Sequence, residues 1–261
     1  MNDLSRLAEE AEPMASDCAS PPEAVCGPCL LCPVRETALC RGLSAADLQR
    51  VYSRARYVVS RPAGTTLFAQ GERCETILIV RAGWAVVYKL FADGRRQIIR
   101  FAMPGDVLGF EGNETVGMLY TAEALTDLSV CAIRRHAFTR ACQELPRLSV
   151  NVARALAHEA LEAWNHVGAL GQQTAKERIA SLLLELHRRV TADQPPDGTA
   201  VHLPLNQVHI ADATGLTSVH VCRTLKRMRA AGILTYAKGT LRIEDGERLR
   251  AIAQLDPDIG R

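Results

Sequence analysis

Residues 203–234 read LPLNQVHIADATGLTSVHVCRTLKRMRAAGIL, and this stretch decides the fold of the C-terminal part of the chain. Asn206 and Thr217 can each cap a helix, because their side chains accept hydrogen bonds from the free N–H groups of a first helical turn. Gly215 lies between the two predicted helices, where a tight turn needs a positive φ angle. Gly232 follows the second helix and can end it. The stretch therefore predicts a helix-turn-helix.

Apolar residues recur in both predicted helices at the spacing that would pack one helix against the other. These residues are Val208, Ile210, Ala211, Leu216, either Val219 or Val221, and Leu225. After the second helix, the sequence ILTYAKGTLRIED reads as two short strands joined at Lys238 and Gly239. We therefore expect a hairpin wing behind the helix-turn-helix.

The second predicted helix is far more basic than the rest of the chain. The whole chain of 261 residues has a formal net charge of +2, whereas residues 217–231 hold four basic residues and no acidic one. The second helix of a helix-turn-helix enters the major groove of DNA, and basic side chains neutralise DNA phosphates. The charge pattern therefore favours DNA binding over a helix pair that serves only for packing. The expected DNA contacts are Thr217, Ser218, Val219, His220, Cys222, Arg223, Lys226, Arg227 and Lys238.

Within this set, the position along the helix predicts what each basic residue contacts. Arg223 lies early enough to reach a base edge, where arginine binds guanine through two hydrogen bonds. Lys226 and Arg227 lie further along the helix, so we expect them to contact phosphates.

Upstream of this module, the chain changes from short β segments to long helices. From Tyr57 to about Ile133, short strand-like segments alternate with turn signals, and Asp93-Gly94 is a strong hairpin signal. This spacing predicts an antiparallel barrel or roll. In the helical stretch that follows, apolar residues recur every three to four positions over more than twenty residues. This pattern suits either a dimerisation helix or an amphipathic helix packed on its own barrel.

We therefore predict an α+β chain with an antiparallel β-roll like a cyclic-nucleotide-binding domain, a long dimerisation helix and a C-terminal winged helix-turn-helix. The expected divisions are a mobile tail at 1–25, a cysteine-rich segment at 26–42, the β-roll at 43–135, a short helix and the dimerisation helix at 136–171, and the winged helix-turn-helix at 172–261.

Composition and motifs exclude several classes of protein. With 48% hydrophobic and 23% charged residues the chain has an ordinary globular composition. No apolar run approaches the roughly 18 residues of a membrane span, and the acidic N-terminus does not resemble a secretory signal, so we expect a cytoplasmic protein. The sequence has no nucleophile elbow, P-loop or paired-carboxylate motif, so we do not expect an enzyme.

The cysteines are concentrated near the N-terminus, where five of the nine fall within residues 18–40. In a reducing compartment such crowding favours metal or redox chemistry over disulfides. Cys29, Cys32 and Cys40 form the pattern C-x2-C-x7-C, and cysteines two residues apart can bind one metal centre. Cys26 forms an equally good pair with Cys29 and is an alternate ligand. The residues alone leave open an iron–sulfur cluster, zinc or redox-active thiols.

The order of a cysteine-rich arm, a β-roll, a long helix and a winged helix resembles the CRP/FNR family of bacterial transcription regulators. The most specific similarities lie in Pro104–Gly109, Thr174–Ala180 and residues 211–225. The resemblance implies a homodimer that binds DNA with two-fold related half-sites about 34 Å apart. It also implies RNA polymerase as a partner.

The cysteines are similar to those of FNR-type oxygen sensors, which hold a [4Fe–4S] cluster with three N-terminal cysteines and a fourth from a late strand of the roll. Cys29, Cys32 and Cys40 match one spacing of this group, in which a proline follows the second cysteine, and Cys131 stands where the fourth ligand is found. The resemblance implies that these four residues hold the cluster and that the regulator responds to oxygen or redox state. The alternative is a regulator of the same fold without the cluster, which senses through thiols, zinc or a small ligand in the roll.

The chain departs from the family in two places that bear on function. The cyclic-nucleotide branch binds the phosphate with an Arg-Ser pair, but the corresponding stretch Met118–Ala122 has no arginine, so we expect no cAMP. FNR-type proteins commonly carry Glu-x-x-Ser-Arg in the recognition helix, where this chain has Val219, Cys222 and Arg223. Valine cannot accept a hydrogen bond from a cytosine amino group as glutamate does. We therefore expect a different half-site, to which His220 can add a contact.

Overall fold

The computed structural model describes residues 29–52, 56–110, 117–192 and 198–254. The predicted tail at 1–25 and the alternate ligand Cys26 lie outside these ranges. The helices are α1 (Ala45–Tyr52), α2 (Arg135–Glu144), α3 (Pro146–Gln172), α4 (Ala175–Val190), α5 (Gln207–Thr214), α6 (Ser218–Ala230) and α7 (Gly246–Ala253), with a 3-10 turn at Cys29–Leu31. The strands are β1 (Arg56–Arg61), β2 (Thr66–Phe68), β3 (Thr76–Ala82), β4 (Ala85–Leu90), β5 (Arg96–Ala102), β6 (Val107–Leu108), β7 (Thr121–Ala124), β8 (Leu128–Arg134), β9 (Ala200–His202), β10 (Leu234–Ala237) and β11 (Thr240–Ile243).

The first eight strands form an antiparallel β-roll, as predicted. They make two four-stranded sheets with the strand orders β1-β8-β3-β6 and β2-β7-β4-β5. β4 and β5 are joined at the expected Asp93-Gly94 hairpin, where Gly94 has a φ angle of 83°. Alternate residues such as Val80, Val87 and Val130 point between the sheets and form a common core.

The outer face of the first sheet is covered by the N-terminal segment and by α2 and α3. Val130 and Ala132 of β8 belong to the core between the sheets, whereas Cys131 and Ile133 belong to a second apolar cluster on the other face. This division follows from the two-residue period of a strand. Leu39 of the N-terminal segment packs in the same second cluster. The period of β8 therefore turns Cys131 toward the cysteine-rich segment.

The C-terminal module is a helix-turn-helix, and its local geometry is the one that the sequence predicts. The Asn206 side chain accepts a hydrogen bond from the backbone N–H of His209 at 2.9 Å, and Thr217 accepts one from His220 at 3.2 Å. Gly215 between the helices has a φ angle of 65°. Together with the two-sheet roll, this module confirms the predicted fold class.

One expected core residue of the module lies on its surface. Ile210 and Val221 are fully buried, but Val208 is 49% exposed and Val219 is 64% exposed. Because successive residues of a helix are about 100° apart, a residue two positions from a buried one points away from the core. The expectation that Val208 packs between the helices was therefore wrong, and of the two candidate valines of α6 it is Val221 that packs.

The wing forms at the predicted turn. β10 pairs with β11 in antiparallel register, and β9 adds a third strand. Lys238 and Gly239 have φ angles of 49° and 75°, as a tight hairpin with two left-handed residues requires.

The winged helix-turn-helix docks on the second sheet of the roll. Ile98 and Phe101 of β5 share an apolar cluster with Ile179 and Leu183 of α4. Arg96 of β5 also binds Asp212 of α5, with 2.8 Å between its Nη2 atom and the Asp212 Oδ2 atom. The two modules therefore meet through both apolar and charged contacts.

Charged side chains continue this junction between the roll, α3 and α4. Arg189 of α4 donates hydrogen bonds to the Asp106 carboxylate and, at 3.1 Å, to the Phe101 carbonyl oxygen. Arg100 of β5 binds Glu159 of α3 at 3.0 Å. Burial, reinforced by the neighbouring Glu162 carboxylate, raises the pKa of Glu185 from 4.5 to about 7.

Candidate DNA-binding surface and cysteine cluster

The residues predicted to contact DNA lie along one open face of α6. Val221, Thr224, Leu225 and Met228 are buried at helical spacing and attach α6 to the module. This attachment turns the opposite face outward, where every predicted helix residue is exposed except Cys222, which is half-buried. The exposed residues are Thr217, Ser218, Val219, His220, Arg223, Lys226 and Arg227.

The basic side chains of this face are not paired within the described part of the chain. Arg223, Lys226 and Arg227 form no ion pair with any of the described residues. Lys238 is likewise exposed, at the tip of the wing. The positive charge is therefore free to bind an external anion such as a DNA phosphate.

The four cysteines predicted as cluster ligands border one apolar cluster in the structure. Cys131 of β8 is buried in the apolar cluster on the outer face of the first sheet. Cys29, Cys32 and Cys40 pack against the same cluster. These residues come from separate parts of the sequence, and the packing of the N-terminal segment on β8 places them at the same apolar cluster.

The surroundings of the thiols are partly charged. Burial, reinforced by the neighbouring Cys32, raises the pKa of Cys40 to about 11, while Arg35 acts in the opposite direction. The Arg56 guanidinium donates a hydrogen bond to the Cys29 Sγ atom. A cation at this point can compensate negative charge on a thiolate.

The donor chemistry of this cluster fits an iron–sulfur centre, since four thiols are the usual ligand set of [4Fe–4S]. In the described part of the chain, however, no three His, Cys, Asp or Glu side chains converge closely enough to hold a metal ion. The structure therefore gathers the predicted ligands in one cluster, whereas their side chains do not form a ligand set.

The cysteine-rich segment is tied directly to α3. The buried side-chain amide of Asn151 donates hydrogen bonds to the carbonyl oxygens of Leu39 and Arg41, at 2.8 and 2.9 Å. These two carbonyls flank Cys40 in the sequence. A displacement of Cys40 would therefore act on α3.

α3 packs on its own roll with its first half and leaves apolar side chains open in its second half. Leu148 is fully buried, and Val152 and Ala155 pack against the same cluster. Further along, Trp164 and Val167 are 71% and 67% exposed. The first half of α3 therefore packs on its own roll, and dimerisation through the second half stays a prediction. No helix in the described ranges is long and apolar enough to span a membrane.

Two features near the roll bear on ligands and on communication between the modules. In the stretch Met118–Ala122, Thr121 accepts a hydrogen bond from the backbone N–H of Gln70 at 3.1 Å. Nothing in the structure tests the expectation that the roll binds no cAMP, which stays a prediction.

The contact between β5 and the winged helix was not predicted from the sequence. Its partners Arg96 and Asp212 are 116 residues apart, so no local pattern connects them.

Comparisons with known proteins agree with this geometry. The family model of the cyclic nucleotide-binding domain matches residues 58–145, and that of the Crp-like helix-turn-helix domain matches residues 177–252. The chain is 32% identical over 225 residues to the nitrogen fixation regulation protein FixK of Bradyrhizobium diazoefficiens, which covers 86% of this chain and 93% of FixK.

Two further relatives cover most of the chain. The transcriptional activator protein FnrL of Cereibacter sphaeroides is 30% identical over 233 residues, covering 88% of this chain and 93% of FnrL. The solved structure of FixK2 from Bradyrhizobium japonicum is similar with a TM-score of 0.69 and 30% identity, covering 77% of this chain and 98% of that protein.

Proposed function

The chain belongs to the CRP/FNR family of transcription regulators, and on this premise we propose that it is a homodimeric, sequence-specific DNA-binding regulator that senses oxygen or redox state through a [4Fe–4S] cluster. The observation that carries the DNA-binding part is the open basic face of α6, whose charges have no partner among the described residues. We further propose a cytoplasmic, non-enzymatic role with RNA polymerase as a partner.

Dimerisation through α3 is supported by its exposed apolar side chains. Leu156, Leu161, Trp164 and Val167 recur at intervals of three to five residues and are between 42% and 71% exposed. Two copies of this helix packed side by side would remove these side chains from water, at about 25 cal/mol per Å² of apolar surface. A two-fold axis along α3 would also present two copies of α6 to two half-sites.

Cys29, Cys32, Cys40 and Cys131 would hold the cluster in this proposal, with Cys26 as an alternate to one of the first three. When bound, an iron–sulfur cluster supplies a redox-active centre. The chain's own residues then couple this centre to the dimer. Asn151 connects the backbone on either side of Cys40 to α3, so the position of the cysteine segment biases the helix that carries the dimer surface.

A regulator of the same fold that senses through its thiols is the second candidate. The proximity of Cys32 to Cys40 favours it, since Cys32 lies close enough to contribute to the raised pKa of the Cys40 thiol. Two neighbouring thiols can form a disulfide when an oxidant such as oxygen takes up their two electrons and two protons. In this case the protein would contain no iron.

Anaerobic purification followed by iron and sulfide analysis tests the sensor. We expect about four irons and four sulfides per chain, with a visible absorbance that bleaches in air. A colourless protein would contradict the cluster and leave sensing to thiols, zinc or a small ligand in the roll.

The affinity for DNA, measured at several salt concentrations, tests the regulator itself. Log affinity should fall steeply with log salt concentration, because phosphate contacts release counterions. An affinity that does not change with salt concentration would contradict DNA binding. This result would not depend on whether the protein holds a cluster.

A further inference from the structure

Val219 is an exposed apolar residue in a polar and basic surface. It is the second residue of α6 and is 64% exposed, whereas α6 packs on its module through Val221 and three other buried residues. The side chain of Val219 therefore contributes little to the core. It lies four residues before Arg223, and residues four apart share one face of a helix. Val219 thus points the same way as the arginine that is expected to read a guanine.

The chemistry of valine restricts what it can contact in DNA. Single exposed apolar residues are common on protein surfaces, so exposure alone carries little information. At this position, however, the neighbours Ser218 and His220 can hydrogen-bond to phosphates or bases, while Val219 has no donor or acceptor in its side chain. In the major groove, the apolar group of a base edge is the 5-methyl group of thymine.

We propose that Val219 is a specificity-determining residue that selects thymine through contact between its methyl groups and the thymine 5-methyl group. This inference rests on the proposed DNA-binding function and adds the identity of one base to it. Val219 and Arg223 are separated by about 6 Å along the helix axis. This distance corresponds to about two base-pair steps of about 3.4 Å. The thymine therefore lies within two base pairs of the guanine bound by Arg223.

Selection of binding sites from random DNA duplexes is the first test. The full-length protein, purified without oxygen, should enrich paired half-sites in which a thymine occurs within two base pairs of a guanine. The variant Val219→Glu should replace this thymine by cytosine, because a glutamate accepts a hydrogen bond from the cytosine amino group. The guanine should be retained in both selections, since Arg223 is unchanged.

Val208→Ala is the matched control. Val208 is also an exposed valine of the helix-turn-helix, with 49% exposure, but it belongs to α5 rather than to α6. This variant should select the same sequence as the unchanged protein. A loss of the thymine in Val208→Ala would mean that the preference does not depend on contact with Val219, and would overturn the inference.

Replacing the selected thymine by uracil removes the methyl group and nothing else. The unchanged protein should bind the uracil duplex about fourfold more weakly per half-site, which is the affinity expected from one buried methyl group. Val219→Ala should show a smaller difference between the thymine and uracil duplexes, because its shorter side chain loses most of the contact with the methyl group. An equal loss in both proteins would overturn the inference.

The outcomes separate this inference from the proposed function. An enriched half-site that keeps its guanine but has no thymine within two base pairs would overturn the role of Val219 and leave DNA recognition in place. If the unchanged protein enriches no sequence at all, sequence-specific DNA binding fails, and the role of Val219 fails with it.

Discussion

The recognition surface and the cysteine cluster differ in how their residues are brought together. The surface comes from one continuous stretch, in which the cap at Thr217 and the buried residues of α6 orient each exposed side chain. The cysteine cluster joins the segment around Cys40 to Cys131, which is 91 positions away in the sequence. Local geometry is therefore enough for the first site, while the second depends on docking between distant elements.

The two sites also differ in how complete they are. The charges of α6 are exposed and unpaired among the described residues, so the surface is ready to bind an anion. The thiols share one apolar cluster, but within the described ranges they do not converge as metal ligands. The DNA-binding surface is therefore complete among the described residues, whereas the cysteines border one apolar cluster without forming a ligand set.

The largest expected effect is loss of iron from cysteine variants. Cys29→Ser, Cys32→Ser, Cys40→Ser and Cys131→Ser should each lose the cluster, because each removes one of four thiolate ligands. Iron and sulfide content per chain after anaerobic purification measures this effect.

Cys74→Ser is the control for the cysteine variants. The Cys74 thiol donates a hydrogen bond to the Thr76 carbonyl oxygen at 3.3 Å, which a serine hydroxyl can replace, so this variant should keep its iron. Full iron content in Cys131→Ser would show that β8 supplies no ligand. The cysteine site would then be local in sequence, like the DNA-binding surface.

The proposed dimer surface of α3 is expected to show the next largest effect. Trp164→Glu should weaken self-association by about 2–4 kcal/mol, because an exposed tryptophan at the centre of an interface is a typical hot spot. Sedimentation equilibrium measures the dimer dissociation constant. Val190→Glu, which changes an exposed valine at the end of α4, should leave that constant unchanged. Equal behaviour of the two variants would mean that α3 is not the interface.

Asn151→Ala tests the link between the cysteine segment and α3. The variant leaves two carbonyl oxygens without their donor, so the free energy of unfolding should fall by about 1–3 kcal/mol. Hydrogen exchange of residues 39–43 should accelerate more than exchange in α6. The exposed Asn165→Ala on the same helix serves as the control. Uniform acceleration along the whole chain would indicate that Asn151 stabilises the fold in general rather than the segment.

Two substitutions on α6 separate the reading of bases from the binding of phosphates. Arg223→Ala should cost about 1–3 kcal/mol at the specific site and relax the preference for guanine. Lys226→Ala should weaken binding to all sequences alike and lower the slope of log affinity against log salt by about 1. Competition binding with specific and random duplexes measures both effects. Unchanged discrimination in Arg223→Ala would show that the recognition helix has been misassigned.

The smallest expected effect is a pH dependence at the junction of the two modules. Because the pKa of Glu185 is raised to about 7, the folded state binds this proton more tightly than the unfolded state. Stability from this group is therefore fully present below pH 4.5 and falls as the pH rises to about 7. Glu185→Gln should raise the free energy of unfolding at pH 8 by about 1 kcal/mol or less, because the half-buried Glu185 side chain keeps 36% of its surface in water, which screens its charge.

Glu177 in the same helix serves as a control, because its pKa is shifted in the opposite direction. Its carboxylate accepts a hydrogen bond from the Thr174 backbone N–H at 2.7 Å, which lowers its pKa. Glu177→Gln should therefore not stabilise the protein at pH 8. Urea unfolding at pH 5 and pH 8 measures both variants. A gain at pH 8 in both would mean that the effect reflects net charge rather than the junction.

The sequence predictions were correct for features that depend on residues close together in the sequence. The helix caps, the turns at Gly215 and Gly94 and the wing turn at Lys238 were predicted correctly, because each depends on a few neighbouring residues. The packing role of Val208 was predicted wrongly, because the positions of its neighbours in the module decide which face of α5 is buried.

The sequence by itself therefore determined the order of elements, the shape of the winged helix and the basic character of α6. Only the tertiary structure decided that Cys131 faces the cysteine-rich segment, that Asn151 connects this segment to α3, and that Arg96 holds Asp212 across the two modules. The physical reason is that caps and turns satisfy backbone hydrogen bonds within a few residues, whereas these contacts form only when whole elements pack against each other to bury apolar surface.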